Sequence, residues 1–288
     1  MQVKIANFRY NTSLHLRHFT MLSTEQQSAL LLQSLLNSPL LLSDLPEASV
    51  FDRNKLILPA TATTFNFQQK LGHLYEDALE ILLHASPHIE LLEKSLQIQK
   101  DKHSTVGEID FLVREGCSDQ LTHLELAIKF YLAVKSDDEL LLPGPDARDN
   151  YYRKLQRMRE HQLTLPHRYQ NQLPEVYRDA KIITKQLVCG CIFHHIDDGA
   201  PPAIDFISPT SRREKWLHAK EVKNYFGGDS QLYIIPKKFW PVLPKHLPTE
   251  YLEPWHNDQI TTKCVMVKSN SSDEAYFIAP DNYPKAVG

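Results

Sequence analysis

Glycine and cysteine are scarce in this chain of 288 residues, which has 9 glycines, 18 prolines and 4 cysteines. So few glycines argue against a glycine-rich dinucleotide fold, a collagen-like repeat and a flexible linker protein. Four cysteines in this length do not make a disulfide scaffold. Cys189 and Cys191 lie one residue apart in an apolar run, so we expect both to be buried, inert thiols.

A long apolar run and a strong net charge are also missing. The most apolar stretch, residues 29–45, is interrupted by polar residues and by Pro39, so it is too broken to span a bilayer. The first twelve residues contain no continuous apolar segment of the kind found in signal peptides. The net charge is −3, so any affinity for nucleic acid must come from a local basic patch or a metal. The sequence therefore predicts a reduced, soluble, cytoplasmic protein without a membrane partner.

Two helices are predicted in the first third of the chain. Ser23 and Gln26 have the spacing of a capping box ahead of an apolar run, and Pro39 ends that helix. A second helix is predicted over residues 68–84, because its apolar residues recur at helical spacing and Pro87 stops it.

The hydrophobic period then changes to two. This alternation predicts strands over residues 96–100, 107–114 and 123–134, joined by short turns into an antiparallel meander. A polar helix is predicted over residues 149–163, followed by a buried strand over residues 182–194. The order helix, three strands, helix, strand predicts a mixed α/β core.

Three regions are distinguished along the chain. Residues 1–64 are predicted to form a helical segment packed on the core, residues 65–200 the core, and residues 201–288 an α+β extension that is not an independent domain. In the extension, residues 214–225 have a helical pattern. Short strands are predicted at residues 232–235, 264–268 and 275–278.

Charged residues share one face of the third predicted strand. Glu125, Ala127 and Lys129 lie on this face because side chains alternate along a strand, and the intervening positions are all apolar. Burying a carboxylate and an ammonium there is costly unless they are paired or bind a metal. A structural ion-pair cluster is the alternative interpretation.

The second predicted strand places Asp110 on the corresponding face. Antiparallel pairing would present Asp110 beside Glu125, and two adjacent carboxylates repel unless they are protonated or bridged by a cation. Mg²⁺ is the natural bridge, with the backbone carbonyl of Leu126 as a possible third ligand. On the preceding helix Glu76 adds a third acid, and Gly72 one turn earlier would leave room for it to reach the site.

The polar helix offers a candidate surface for substrate contact. One stripe of this helix holds Asn150, Lys154, Arg157 and His161. Such a stripe can contact a nucleic-acid backbone, and a solvated charged face is the alternative.

Three segments together are similar to the PD-(D/E)XK nuclease superfamily. Residues 71–76 have Gly-x-x-x-Glu, residues 107–112 read Gly-Glu-Ile-Asp-Phe-Leu, and residues 123–131 read His-Leu-Glu-Leu-Ala-Ile-Lys-Phe-Tyr. With Gly144-Pro145 and residues 160–162, they resemble an uncharacterised bacterial branch of it. The resemblance covers most of the chain and implies a restriction-endonuclease-like αβββαβ core with a mixed sheet, an N-terminal helical arm and a C-terminal α+β extension.

The resemblance also implies metal-dependent hydrolysis of phosphodiester bonds in nucleic acid. Asp110 and Glu125 would bind Mg²⁺ or Mn²⁺, Glu76 would assist directly or through water, and Lys129 would orient the attacking water or stabilise the charge on phosphorus. The residues expected to bind substrate are Lys154, Arg157, His161 and Gln162.

This chain departs from the superfamily pattern at the lysine. The superfamily usually places it two residues after the acid, where this chain has Ala127, whereas Lys129 lies on the same face about 6–7 Å further along. The alternative is therefore a catalytically retired nuclease fold that binds nucleic acid or a protein. A third interpretation is a small-molecule hydrolase with zinc held by the cluster at residues 194–198.

Overall fold

The computed structural model describes residues 22–101, 104–136, 139–199, 202–227, 230–256 and 262–285. The first 21 residues of the predicted N-terminal segment lie outside this set, as does part of the turn predicted after the first strand. The described residues form a mixed α/β structure with one large mixed sheet and few helices, as the sequence predicted in outline.

The α-helices of the described residues are α1 (Thr24–Asn37), α2 (Leu71–Ala85), α3 (Tyr151–Glu160), α4 (Leu165–Arg168), α5 (Glu175–Arg178) and α6 (Val222–Phe226). The strands are β1 (Ser49–Val50), β2 (Ile89–Asp101), β3 (Ser104–Glu115), β4 (Leu121–Ser136), β5 (Glu139–Leu141), β6 (Ile182–His195), β7 (Arg212–His218), β8 (Leu232–Ile234), β9 (Glu253–Trp255), β10 (Val265–Ser269) and β11 (Ala275–Ala279).

The sheet has the strand order β2-β3-β4-β6-β7-β11-β10-β8-β9, with β1 beside β6 and β5 beside β4. The strands β2, β3 and β4 form the predicted antiparallel meander, and β6 runs parallel to β4 along almost its whole length. The strands β7 and β11 continue the parallel part, and the remaining C-terminal strands are antiparallel. The sheet therefore passes without a break from the predicted core into the C-terminal extension.

The N-terminal part is helical only over α1. The predicted capping box is present, since Ser23 Oγ accepts a hydrogen bond from Gln26 N at 3.2 Å and Gln26 Oε1 accepts one from Ser23 N at 2.9 Å. Residues 38–64 contain no α-helix, only the two-residue β1, isolated bridges and one 3₁₀ turn, which corrects the prediction of a helical segment there. Prolines recur through this stretch, and it instead follows β6, to which β1 is paired.

Helices cover both faces of the sheet. On one face α1 and α2 pack on β4 and β6, and Ser34 Oγ and Tyr75 OH share a buried hydrogen bond of 2.6 Å between the two helices. On the other face Tyr151, Leu155 and Met158 of α3 are buried against β4 and β6. The outer face of α3 is left free to carry the polar residues described below.

The predicted helix over residues 214–225 is wrong. Most of its first half is β7, which pairs with β6 on one side and β11 on the other, and a 3₁₀ turn and α6 follow. Backbone pairing with two neighbouring strands outweighs the helical spacing of this short segment. Trp216, Trp240 and Trp255 are buried in this part, as expected of packing residues.

Candidate metal centre

The candidate centre lies where β3 and β4 separate. Their antiparallel pairing ends at the pair Phe111 and Leu124, and Asp110 and Glu125 come directly after that pair. The backbone N–H of Leu126 donates a hydrogen bond of 2.9 Å to Asp110 Oδ2. The Asp110 carboxylate therefore accepts the hydrogen bond that a backbone carbonyl would accept in a continuing strand pair, and it is held beside Glu125.

Both acids are shielded from water, Glu125 almost completely and Asp110 in part. The side chain of Glu125 is only 3% exposed, and Asp110 is half-buried. Burial, and then the negative charge of Glu125, raise the pKa of Asp110 to about 8. Burial, and then the charges of Glu76 and Glu108, raise the pKa of Glu125 to about 8. Near neutral pH the two carboxyls hold protons or need a cation between them.

One oxygen of Glu125 has no hydrogen-bond partner. Gln162 Nε2 donates to Glu125 Oε1 at 2.5 Å, whereas Glu125 Oε2 is buried and unpaired. His123 Nε2 lies 3.6 Å from that oxygen, and neither ring nitrogen of His123 has a partner. Buried polar atoms rarely lack hydrogen-bond partners, so an unpaired carboxylate oxygen beside an unpaired imidazole is unusual. Both groups can coordinate a metal ion.

His123 is a residue that sequence reasoning missed as part of the site. It is fully buried, and burial lowers its pKa to about 4, so the imidazole is neutral near pH 7. Its position two residues before Glu125 on one strand was the available signal, because alternation places both on the same face. Neutral imidazole and carboxylate oxygen together suit Mn²⁺ better than Mg²⁺, which prefers oxygen alone.

Lys129 lies further along the same face of β4. Its Nζ is 3.9 Å from Asp149 Oδ2, and burial lowers the pKa of this lysine while Asp149 opposes that change. The neighbouring strand approaches closely here, because Gly190 has φ +153° and a Cβ placed on it would lie 1.7 Å from the carbonyl oxygen of Lys129. Only glycine lets β6 pair with β4 at this point.

Glu76 approaches the two acids from α2. Its negative charge contributes to raising the pKa of both Asp110 and Glu125. Glu76 Oε2 is 3.1 Å from Nδ1 of His73. A Cβ added to Gly72 would lie 3.9 Å from Glu76 Oε1, an ordinary contact, so alanine would leave Glu76 the same room at this position.

The predicted substrate-binding residues line the same cleft as the acids. This cleft has a volume of about 680 Å³, and its walls include Asp110, Glu125, Leu126 and Lys129. The walls also include Lys154, Arg157, His161 and Gln162. Asn150, the first member of the predicted stripe, instead caps α3 by accepting a hydrogen bond from Tyr152 N at 3.0 Å.

A second glycine explains how this helical wall comes so close. A Cβ on Gly107 of β3 would lie 2.8 Å from Leu165 Cδ1 and 3.2 Å from His161 Cε1. The bare backbone of Gly107 therefore lets the segment that carries His161 and Gln162 sit directly over the acids.

The predicted histidine cluster at residues 194–198 does not come together. His194 faces Arg213, whose Nη1 is 3.2 Å from His194 Nε2, and Asp198 pairs with Lys135. His195 points to the opposite face and lies with His218 and Glu221, their candidate ligand atoms all within 4.8 Å of one another.

This second trio is linked by ordinary hydrogen bonds. Glu221 Oε2 accepts one from the backbone N–H of His218 at 2.6 Å and lies 3.1 Å from His195 Nε2. His218 Nδ1 is 3.0 Å from the carbonyl oxygen of Pro280. The trio therefore joins the carboxyl ends of β6, β7 and β11.

The fold and the cleft together define a mixed α/β protein with a buried, acid-lined centre. Residues 20–275 match the family described as Domain of unknown function (DUF1853), and the chain belongs to that family. Neither a curated protein nor a solved structure matches the chain significantly. Within the part of the chain that the structure describes, no helix has the length and apolar character needed to cross a membrane.

Proposed function

We propose that this protein is a divalent-metal-dependent nuclease-like enzyme with a restriction-endonuclease-like core, similar to the PD-(D/E)XK superfamily. The element order supports the proposal, since α2, β2, β3, β4, α3 and β6 follow one another as helix, three strands, helix and strand. This order leaves aside the three-residue β5, the four-residue helices α4 and α5, and the 3₁₀ turns beside them. The antiparallel meander and the parallel pairing of β6 with β4 agree with a mixed sheet of this type.

One observation carries the proposal. Asp110 and Glu125 lie side by side in a water-poor cleft, with pKa values raised to about 8 and one carboxylate oxygen unpaired. A structural ion pair would place a lysine or arginine on these acids, but the hydrogen bonds they receive come from a backbone amide and a glutamine. A bound divalent cation would satisfy the unpaired oxygen and remove the repulsion.

Each residue has a distinct part in the proposed hydrolysis. Asp110 and Glu125 would hold Mg²⁺ or Mn²⁺, with the Leu126 carbonyl and Glu76 as further oxygen donors. The cation would lower the pKa of a bound water and polarise the phosphodiester. Lys129 would stabilise the charge that develops on the phosphate oxygens.

The polar side of the cleft would bind the substrate. Lys154 and Arg157 would contact the nucleic-acid backbone, together with His161. Gln162 would contact it as well and orient Glu125, to which it already donates a hydrogen bond.

A retired nuclease fold that only binds nucleic acid or a protein is the second candidate. Ala127 occupies the usual lysine position, and Lys129 lies 3.9 Å from an oxygen of Asp149. In that case Asp110 and Glu125 would still bind a metal ion, but no lysine would stabilise the charge that develops on the scissile phosphate.

The test is calorimetric titration of Mn²⁺ into the wild-type protein and the Asp110→Asn/Glu125→Gln variant, followed by incubation with labelled DNA and RNA. A matched control is Asp119→Asn/Glu175→Gln, which changes the same two residue types at exposed positions. We expect metal binding and metal-dependent cleavage in the wild type and the control, and neither in the site variant.

The other outcomes are also informative. If the wild type bound metal without cleaving nucleic acid and the Ala127→Lys variant gained cleavage, the proposed nuclease activity would be overturned in favour of the retired nuclease fold. Absence of Mn²⁺ binding in the wild type, or equal binding in all three proteins, would refute the metal centre itself.

A further inference from the structure

A second and larger cleft opens against the acid-lined one. It has a volume of about 1240 Å³, and Gly72, Ile128 and Lys129 line both clefts. Lys129 therefore lies where the two cavities adjoin. One wall of the larger cleft comes from α2 and the loop after β5, and the other comes from the C-terminal part of the chain.

This larger cleft, which we call the basic cleft, is strongly positive in a protein whose net charge is −3. Its cationic lining residues are Lys70, Lys129, Arg148, Lys237, Lys238, Lys263 and Lys285. Only two acids, Asp146 and Asp149, line it. Positive charge gathered in one concavity of an otherwise acidic protein concentrates anions there.

Five of these seven cations are available for a ligand. Lys237, Lys263 and Lys285 on the C-terminal wall are exposed and form no ion pair among the residues that the structure describes, although Lys237 Nζ lies 5.6 Å from the centroid of the Trp240 ring. Lys70 and Arg148 on the opposite wall are likewise exposed and without an ion pair in that part of the chain. Lys238 and Lys129 are engaged already, since Lys238 Nζ donates to Gln27 Oε1 at 2.8 Å and Lys129 lies near Asp149. Exposed cations without an ion pair among the described residues therefore lie on both walls, and three of the five lie on the C-terminal wall.

That wall is fixed relative to the acid-lined cleft. Tyr283 OH donates a hydrogen bond of 3.0 Å to the carbonyl oxygen of Gly144, in the loop after β5. The rings of Phe130 on β4 and Trp240 pack edge to face with centroids 5.5 Å apart. The segments that carry Lys237 and Lys285 are thus packed against β4 and the loop after β5, close to Lys129.

We propose that the basic cleft binds the sugar–phosphate backbone of a nucleic-acid strand and leads it past Lys129 to the acid-lined cleft. This inference rests on the proposed nuclease function and assigns a role to the C-terminal extension. A polyanion with several phosphates matches a cleft lined by several exposed cations, and each phosphate contact releases bound counterions on association. Contacts between these cations and backbone phosphates would bind nucleic acid without base-specific contacts, so binding would not depend on sequence.

The experiment measures fluorescence anisotropy of a labelled 20-nucleotide single-stranded DNA in EDTA, so that no metal is needed and no cleavage occurs. The test variant is Lys237→Glu/Lys263→Glu/Lys285→Glu. The matched control is Lys220→Glu/Lys223→Glu/Lys245→Glu, which changes the net charge equally at exposed lysines outside both clefts.

We expect the test variant to bind at least tenfold more weakly than the wild type at 0.1 M salt. Its plot of log affinity against log salt concentration should also be flatter by about two, since each contact to a single-strand phosphate contributes about 0.7 to that slope. The control should bind less than threefold more weakly. Equal losses in the two variants, or no measurable binding by the wild type, would overturn the proposal.

Failure here is distinguishable from failure of the proposed function. If the metal centre is absent but the basic cleft is real, binding in EDTA still depends on Lys237, Lys263 and Lys285. If the centre is real but the cleft is not a strand path, Mn²⁺ binding persists and the three lysines leave DNA affinity unchanged. Double-stranded DNA and RNA of the same length, tested in parallel, identify which strand the cleft prefers.

Discussion

The raised pKa values of the acid pair predict an unusual dependence of stability on pH. A carboxyl whose pKa is near 8 when folded and near 4 when unfolded holds an extra proton in the folded protein between those values. Its contribution to stability is therefore present below pH 4 and is lost as the pH rises through 8. The perturbation that tests this is Asp110→Asn/Glu125→Gln, which keeps the shape and removes the ionisation.

The magnitude follows from proton counting. Each extra proton bound by the folded state changes the free energy of unfolding by about 1.4 kcal/mol per pH unit. Because the two acids share one site, we count one proton, which gives about 3 kcal/mol between pH 5 and pH 7. For a protein of this size that corresponds to about 6–12 °C in Tm.

Two histidines change stability in the opposite direction. Burial lowers the pKa of His123 and His194 to about 4, so their contribution is lost as the pH falls below the unfolded value of 6.5. The variant keeps both histidines, so the difference in Tm between variant and wild type isolates the acids. We expect the Tm of the variant minus the Tm of the wild type to increase by about 6–12 °C from pH 5 to pH 7, because only the wild type loses the contribution of the acids. The assay is calorimetric melting in metal-free buffer.

Two results would refute this reasoning. Parallel curves of Tm against pH for the two proteins would show that Asp110 and Glu125 titrate normally. A wild-type protein that gains stability steadily from pH 5 to pH 8 while the variant does not would show that both acids are ionised and paired. Adding Mn²⁺ at pH 8 should raise the wild-type Tm and leave the variant unchanged, because the cation binds the ionised pair.

Three further predictions concern single residues. Gly190→Ala should destabilise the protein by more than about 3 kcal/mol, because its Cβ would overlap the Lys129 carbonyl in a left-handed backbone conformation; urea denaturation measures this. Gly107→Ala should cost about 1–3 kcal/mol and lower Mn²⁺ affinity, since it displaces Leu165 and His161 over the acids; a Tm change with unaltered affinity would contradict it. His123→Leu should weaken Mn²⁺ binding at least tenfold while affecting Mg²⁺ less, as titration calorimetry can show, and equal losses for both ions would exclude the imidazole as a ligand.

The core elements were predictable because their patterns are strong and local. Alternation over residues 107–114 and 123–134 predicted β3 and β4, and the same alternation placed Asp110 and Glu125 on matching faces. The capping box at Ser23 fixed the start of α1. These features depend on neighbours a few residues away in the chain, so one sequence is enough to read them.

The rest depended on contacts between distant residues. The segment that became β7 has a helical pattern by itself, and its pairing with β6 and β11 decides the outcome. The sequence places His123 on the same face as Glu125, but only the fold buries both of its ring nitrogens beside the unpaired oxygen of Glu125. The close approach over Gly107 requires a segment more than fifty residues later.

The unbroken sheet has a consequence for how a substrate could enter and leave. The strand β6 belongs to the predicted core, and β7 and β11 continue from its edge into the C-terminal part. A hinge motion that separated the two walls of the basic cleft would have to break backbone hydrogen bonds between strands in the middle of this sheet. We therefore expect the two walls to keep their relative position. If the basic cleft binds nucleic acid as proposed, the nucleic-acid strand would enter it from the side or thread into it from one end. A long strand without free ends would then be admitted only if the cleft is open along its length.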